Sequence, residues 1–419
     1  MKAKKLLLLF VLGTITFTSC NNSYIDTPVT KSSPTSDSTN EQKIIAYVNN
    51  FANLVDHNSS TRSSSSINVY NNISKNTYSG VSTRTGTTKS ANVYTLEFTR
   101  NGKKGFAIAC MDSSIDRVFA YTENGNLSDT TYNVPLHEVI ASIPSYCTET
   151  LKKDSIKTTR TQILGNELVV DNLVKTEWDQ NGPYNDDYPF VSTSLPHAYA
   201  GCATIAAAQA IAYYGTIGKT SLNSKWPYTQ FTNSSRIYSG SSLAPTVASY
   251  VYQLVQLMNP TYSSTGTGIS VNDIQYPLNT YGLNYYYHND NMDKYTSWQT
   301  LMRKDIIIAT GHTKKGNGHA WLYTGMVFRV TFDSHEYYNL DALYCNWGWA
   351  GGEDTKDDNG WYYSDWESPS DYNHSTTYNH DNRQYYIEQM PTLSQNEYRN
   401  EIADLILQAM GDITGPAGK

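Results

Sequence analysis

The run Ala203-Thr204-Ile205-Ala206-Ala207-Ala208-Gln209-Ala210-Ile211-Ala212-Tyr213 constrains this chain more than any other stretch. Alanine at this density favours helix. Small residues on every side of it imply tight burial, so the chain must supply neighbours all round. It can: of 419 residues, 39% are hydrophobic and 13% aromatic, enough for a packed core and against wholesale disorder. The length allows two or three domains, at about 100–200 residues each. Gly201-Cys202 opens the run. That places the cysteine at a helix N-terminus, where the positive end of the macrodipole stabilises a thiolate.

A thiolate nucleophile needs a histidine as base and later acid. Of the nine histidines, His319 stands out in Gly316-Asn317-Gly318-His319-Ala320-Trp321-Leu322-Tyr323, after a tight turn and at the start of an apolar strand. His312 is the rival, but it enters a Lys-rich loop. The imidazole in turn needs an orienting group. Asn346, in Tyr344-Cys345-Asn346-Trp347-Gly348-Trp349, sits on a strand that can neighbour the His319 strand. Its amide oxygen is the candidate acceptor for the imidazole N–H, with Trp347 covering that bond. Strand alternation then turns Cys345 away as a core cysteine. Acyl transfer also calls for oxyanion donors: the backbone N–H of Cys202 is one candidate and the side chain of Gln180 another.

The N-terminus reads as an address. Lys2, Lys4 and Lys5 precede the apolar run Leu6 to Phe17, followed by Thr18, Ser19 and Cys20. This pattern is a secretory signal over residues 1–19. Cys20 after small residues resembles a bacterial lipoprotein box, so the expected mature protein crosses the inner membrane and is held in the envelope through a lipid at Cys20. Either membrane face is open, as is release after processing. Residues 20–39 read as a Ser/Thr/Pro-rich tether.

Beyond it, Ile44, Tyr47, Val48, Phe51, Ala52 and Val55 recur at helical spacing, and residues 56–90 read as a long polar loop. Strands are expected at Tyr94 to Phe98, Phe106 to Cys110 and Val118 to Tyr121, with turns at Asn101-Gly102 and Asn124-Gly125. The result is a small helix-plus-antiparallel-sheet domain over 40–160. A Lys- and Arg-bearing connector at 152–164 leads to a second domain, 161–419, that ends in a helix capped by Ser394 and Glu397. Cys110 and Cys147 are a candidate disulfide pair. No cysteine or histidine spacing indicates a metal, the acidic loop Glu353 to Asn359 reads as solvated rather than a calcium site, and no cofactor is expected. The net charge of -7 and pI of about 5.7 argue against nucleic acid as a partner.

The order Gln180, Cys202, His319, Asn346-Trp347 is that of papain-like thiol proteases. Gly201-Cys202 with Gln209, Gly318-His319-Ala320-Trp321, and Asn346-Trp347-Gly348-Trp349 with Gly351-Gly352 more closely resemble the streptopain family of bacterial cysteine peptidases. Trp178, Gln180 and Pro183-Tyr184-Asn185 are similar to the start of that family's mature enzyme. Tyr94 to Phe98, Gly105-Phe106-Ala107-Ile108 and Tyr121 with Asn124-Gly125 are similar to its propeptide. The resemblance spans about residues 40–390. It departs at Ala203-Thr204, Tyr323-Thr324-Gly325 and Glu353 to Asn359, none of which touches a proposed catalytic atom.

The resemblance implies an α+β fold: a papain-like peptidase domain with a helical part and an antiparallel sheet or barrel, preceded by a small α+β propeptide that acts as an intramolecular inhibitor. It implies cleavage of protein or peptide substrates, with Cys202 as nucleophile, His319 as base and acid, Gln180 at the oxyanion, and Asn346 and Trp347 orienting and shielding the imidazole. Two other classes fit the composition. One is a catalytically silent Tyr- and Trp-rich surface adhesin, since Tyr numbers 35 against 31 Lys plus Arg. The other is an amidase or acyltransferase using the same nucleophile.

Overall fold

A computed structural model describes residues 37–57, 69–83, 85–112, 114–127, 134–152, 167–289, 292–312, 318–332, 336–349, 358–364 and 384–390. The signal, Cys20, most of the tether, the connector beyond Lys152, Gly351-Gly352 and the C-terminal helix expected from Ser394 all lie outside these residues. Among the described residues no helix is long and apolar enough to cross a membrane.

Helix α1 (Asp37–His57) buries Ile44, Val48, Phe51, Ala52 and Val55, the face its periodicity indicates. An antiparallel meander follows: β1 (Val69–Val81), β2 (Thr88–Arg100), β3 (Lys103–Asp112) and β4 (Ile115–Thr122). The polar stretch expected to be loop thus supplies β1. Its side chains are mostly exposed at the sheet edge, where one-sided pairing with β2 does not demand an apolar pattern. Asn101 and Gly102 turn β2 into β3 with φ of 51° and 77°, the left-handed pair that a tight hairpin needs. Helix α2 (Val134–Lys152) closes this part.

After β5 (Glu167–Val170) the chain becomes mainly helical. It forms α3 (Cys202–Thr216), α4 (Tyr228–Thr232), α5 (Ala244–Gln256), the hairpin β6 (Thr261–Ser263) and β7 (Gly266–Gly268), and α6 (Gln275–Thr280). Then come β8 (Tyr285–His288), α7 (Lys294–Met302), β9 (Ile307–His312), β10 (Gly318–Phe332), β11 (Glu336–Asn346), β12 (Gly360–Tyr363) and β13 (Gln384–Ile387). The chain is therefore α+β, with antiparallel pairing throughout the described strands.

One sheet runs in the order β1-β2-β3-β4-β12-β11-β10-β9-β13-β8, with β5 alongside β10. Its continuity rests on β4 and β12, where Trp361 lies opposite Tyr121 and Tyr362 opposite Ala120. A buried ion cluster ties the same seam. Asp341 of β11 accepts from Arg117 of β4 at 3.1 Å and from Arg329 of β10 at 3.2 Å. Contacts accordingly gather residues 41–419 into one compact unit.

The sheet has two covered faces. On one, Trp321, Tyr323, Leu343 and Cys345 pack with Leu136, Val139, Ile143 and Cys147 of α2 and with Trp298 and Leu301 of α7. On the other, Val327 and Ala342 meet α1, while Ala320 and Leu322 meet α3 and α5. Cys110 and Cys147 both lie in the first of these cores as free thiols, each pushed up to about 12 by burial. The candidate disulfide between them is not formed.

Helix α3 is buried on all sides, from Ala203 through Ala212 and again at Tyr214. Alanine is what lets neighbouring elements approach this closely. At Gly215 even a methyl group is too much, since a Cβ there would lie 2.4 Å from the ring of Tyr228. Alanine would gain about 1 kcal/mol in helix propensity over glycine, but overpacking costs about 1–3 kcal/mol and the ring has no room to withdraw. Gly215→Ala is therefore expected to lower stability, measured as a fall in the urea midpoint; a rise in the midpoint would contradict this packing.

Candidate active site

Cys202 begins α3 because Gly201 before it takes a φ of 85°, which a side chain would resist, and a Cβ at Gly201 would press on the Thr267 carbonyl at 3.2 Å. No side chain caps the helix, so its first-turn N–H groups remain available to the sulfur. Sγ accepts the N–H of Ala320 at 3.3 Å, and the amides of Ala203 and of Cys202 itself also favour its charged form. Burial opposes them and prevails: the thiol is pushed above its ordinary value and is protonated at neutral pH in this arrangement.

His319 is the second residue of β10, opposite Gly311. Its Nε2 lies 2.9 Å from the carbonyl oxygen of Trp347. A carbonyl only accepts, so Nε2 carries the proton and Nδ1 is the basic nitrogen. The ring stacks on Trp349 at 4.8 Å and on Trp321 at 6.0 Å, both at 14°. Burial lowers its pKa to about 3, only partly offset by the Trp347 carbonyl. Sulfur and imidazole are thus on adjoining segments, with the peptide N–H just after His319 on the sulfur. The ring itself, however, is engaged with Trp347 rather than hydrogen-bonded to Sγ.

The expected Asn346–His319 bond is absent, and strand alternation explains why. Asn346 lies opposite Leu322 and Cys345 opposite Tyr323. Asn346 therefore shares the α3 face, while His319 stacks with Trp321, whose side chain packs on the other face. Its amide is used there. Nδ2 donates to the Thr176 carbonyl at 2.6 Å and to Gln209 Oε1 at 3.3 Å; Oδ1 accepts from Gln209 Nε2 at 3.3 Å and from the N–H of Gly348 at 3.2 Å.

Trp347 meets the imidazole through its backbone carbonyl, and there is no Asn–His bond for its side chain to shield. The residue is fully buried. Its N–H donates to Asn359 Oδ1 at 2.7 Å and its indole N–H to the Asp358 carbonyl at 3.1 Å. Asp358 and Asn359 are held in turn from the β4 end. The Asn126 N–H donates to Asp358 Oδ1 at 2.9 Å, and the Thr122 hydroxyl to the Asn359 carbonyl at 2.7 Å. These two residues, at the end of the stretch read as a solvated loop, are buried supports of the site.

Gln180 is placed close to the nucleophile, since its carbonyl accepts the N–H of Ala200 at 2.9 Å. Ala200 stands two residues before Cys202, and the side-chain Nε2 of Gln180 is buried without a hydrogen-bond partner. Asp179 beside it is pushed up to about 7 by burial, against the opposing Asn181 N–H at 2.7 Å.

The reading from sequence missed the Trp347 carbonyl, which no side chain advertises, and the support from Asp358 and Asn359. Gln209 carried a signal in being the one amide in an alanine-rich helix. His312 ends β9 opposite Gly318. Among the described residues, no three His, Cys, Asp or Glu side chains group to hold a metal.

Compared with known protein families, residues 178–362 match the model of the Peptidase C10 family. The match supports the streptopain-family resemblance over the stretch holding Gln180, Cys202, His319, Asn346 and Trp347, and that family implies a peptidase, a hydrolase. No curated protein and no solved structure matches the chain.

Burial of neutral His319 sets a pH dependence. Unfolded, the ring binds a proton near 6.5; folded, only near 3. Between these values the unfolded chain holds more protons, so this contribution to stability is complete above about pH 6.5 and is lost as pH falls toward 3. Asp179 has the opposite sign over much of that window, so the variant must be compared with wild type. His319→Gln is expected to flatten the acid-side loss of stability in urea titrations; parallel curves would refute the assignment.

Proposed function

We propose that this chain is a cysteine endopeptidase made as a zymogen, with Cys202 as nucleophile and His319 as its base and acid. The observation that carries the reading is the sulfur at the uncapped start of α3 accepting the N–H that follows His319. The unpartnered Gln180 amide nearby supports it.

In the reaction, Nδ1 of His319 takes the thiol proton as Sγ attacks the carbonyl carbon of a peptide bond. The N–H of Cys202 and Nε2 of Gln180 receive the oxyanion. The C–N bond then breaks, His319 gives its proton to the leaving amine, and a thioester remains on Cys202. Water, deprotonated by His319, hydrolyses the thioester and restores the thiol. The Trp347 carbonyl holds the Nε2–H tautomer that leaves Nδ1 free for this work.

In this reading the described arrangement is the latent one. Thiol and imidazole are both neutral, and the ring must turn toward the sulfur to react. Residues 40–160 act as the propeptide and residues 161–419 as the peptidase domain, with cleavage in the 152–164 connector. The lipid on Cys20 holds the precursor in the envelope. That the Asn124–Asn126 turn bonds Asp358, one of the residues supporting Trp347, is consistent with an N-terminal part that governs the site.

Cys202→Ala is expected to lower casein hydrolysis by several orders of magnitude and to leave the precursor uncut, read by intact-mass analysis beside the wild type. A thiol-directed epoxide is expected to label Cys202 faster after processing. Undiminished hydrolysis by Cys202→Ala would refute the mechanism; a wild type that is neither labelled nor active would favour a silent binding protein.

A further inference from the structure

Three segments must meet for the proposed chemistry: the one leading to Gln180, the helix that starts at Cys202, and the turn whose carbonyl holds His319. Each comes from a distant part of the sequence, and apolar packing alone positions segments only loosely along their contact surfaces. A single pair of buried amides joins all three.

Gln209 lies seven residues after Cys202, two helical turns on and nearly on the same side of α3. It is 1% exposed, as is Asn346. The two amides bond reciprocally, Gln209 Nε2 to Asn346 Oδ1 and Asn346 Nδ2 to Gln209 Oε1, both at 3.3 Å. Gln209 Oε1 also accepts the Thr176 hydroxyl at 2.8 Å and the Trp178 N–H at 3.2 Å, two residues short of Gln180. Asn346 grips the Thr176 carbonyl at 2.6 Å and the N–H of Gly348, on either side of which stand Trp347 and Trp349. A buried amide left unpaired is costly; here each of the four polar side-chain atoms of the pair has a partner, and every outside partner belongs to one of the two segments that serve the reaction.

We propose that Gln209 and Asn346 form a positioning pair that fixes Gln180 and the Trp347 carbonyl relative to Cys202, without either amide touching substrate. The proposal rests on the cysteine-peptidase reading and assigns Gln209 a role within it. Its consequence is kinetic. Misplacing reacting groups by about 1 Å can cost about 100-fold in rate, whereas substrate binding along the cleft is little affected.

The test uses protein produced from the full chain and purified after the connector is cut, by an added protease where a variant does not cut itself, with a fluorogenic peptide as substrate and unfolding midpoints measured in parallel. Gln209→Met keeps the length and removes the hydrogen bonds. It is expected to lower kcat by about 10- to 100-fold with KM changed by less than about threefold. In Gln209→Glu a protonated carboxyl still offers one donor and one acceptor, whereas the ionised form offers acceptors only and faces Asn346 Oδ1. This variant is expected to approach wild-type kcat at acid pH and to lose it as pH rises, an ionisation the wild type lacks.

A Gln209→Met kcat within about twofold of wild type overturns the proposal, as does a Gln209→Glu variant that recovers no more than Gln209→Met at any pH. If Gln209→Met does not fold, the Gln209→Glu profile decides alone, and a wild-type profile refutes the pair. Cys202→Ala in the same assay separates the two levels. Cleavage surviving that substitution removes the peptidase mechanism and the positioning role together. Cleavage lost there but untouched by Gln209 substitutions removes the positioning role only.

Discussion

The alternation of side chains along β10 governs this site. His319, Trp321 and Tyr323 share one face of the sheet; Ala320, Leu322 and, across the ladder, Asn346 share the other. The alternation of a strand is not negotiable, because a shift of one residue would send every apolar side chain to the wrong face. Hence the imidazole stacks among indoles while the Asn346 amide turns toward α3. The peptide between His319 and Ala320 then becomes the point of contact with the sulfur.

Burial is the second governing term. Three backbone amides favour a thiolate at Cys202, and the helix start adds the positive end of its dipole. Even so, withdrawal from water outweighs them, and the same withdrawal keeps His319 neutral. An ion pair here requires the two groups to meet directly, since each charge is too costly alone in a dry site. The carbonyl of Trp347, itself held by Asn359 and Asp358, sets the tautomer of the ring. Those two residues are bonded from the β4 end, so the seam that makes one sheet of the N-terminal and C-terminal strands also reaches the His319 ring.

Some of this was legible in the chain before any coordinates. The alanine run announced a helix buried on every side, Gly201 its start, and the alternation of Tyr94, Leu96 and Phe98 a strand with one face in the core. Other features were not. The polar stretch before residue 90 forms β1, because an edge strand needs backbone pairing more than apolar side chains. Asn346 was expected on His319, as a chemically suitable amide near it in space. Which face of the sheet it occupies depends on register, and register is settled by pairing along the full length of β10 and β11.

The amino-acid sequence by itself determined which reactive groups exist and in what local setting: a cysteine at a helix start, a histidine at a strand start, an upstream glutamine and an Asn-Trp turn. Periodicity and helix capping act over a few neighbouring residues, so these settings survive any arrangement of the rest. Only the tertiary structure decided who bonds whom. The imidazole went to a backbone carbonyl, the asparagine to Gln209, and the two halves of the chain to one sheet. Such partnerships depend on register and on burial between segments far apart in sequence, and every peptide group offers the same carbonyl whatever its side chain.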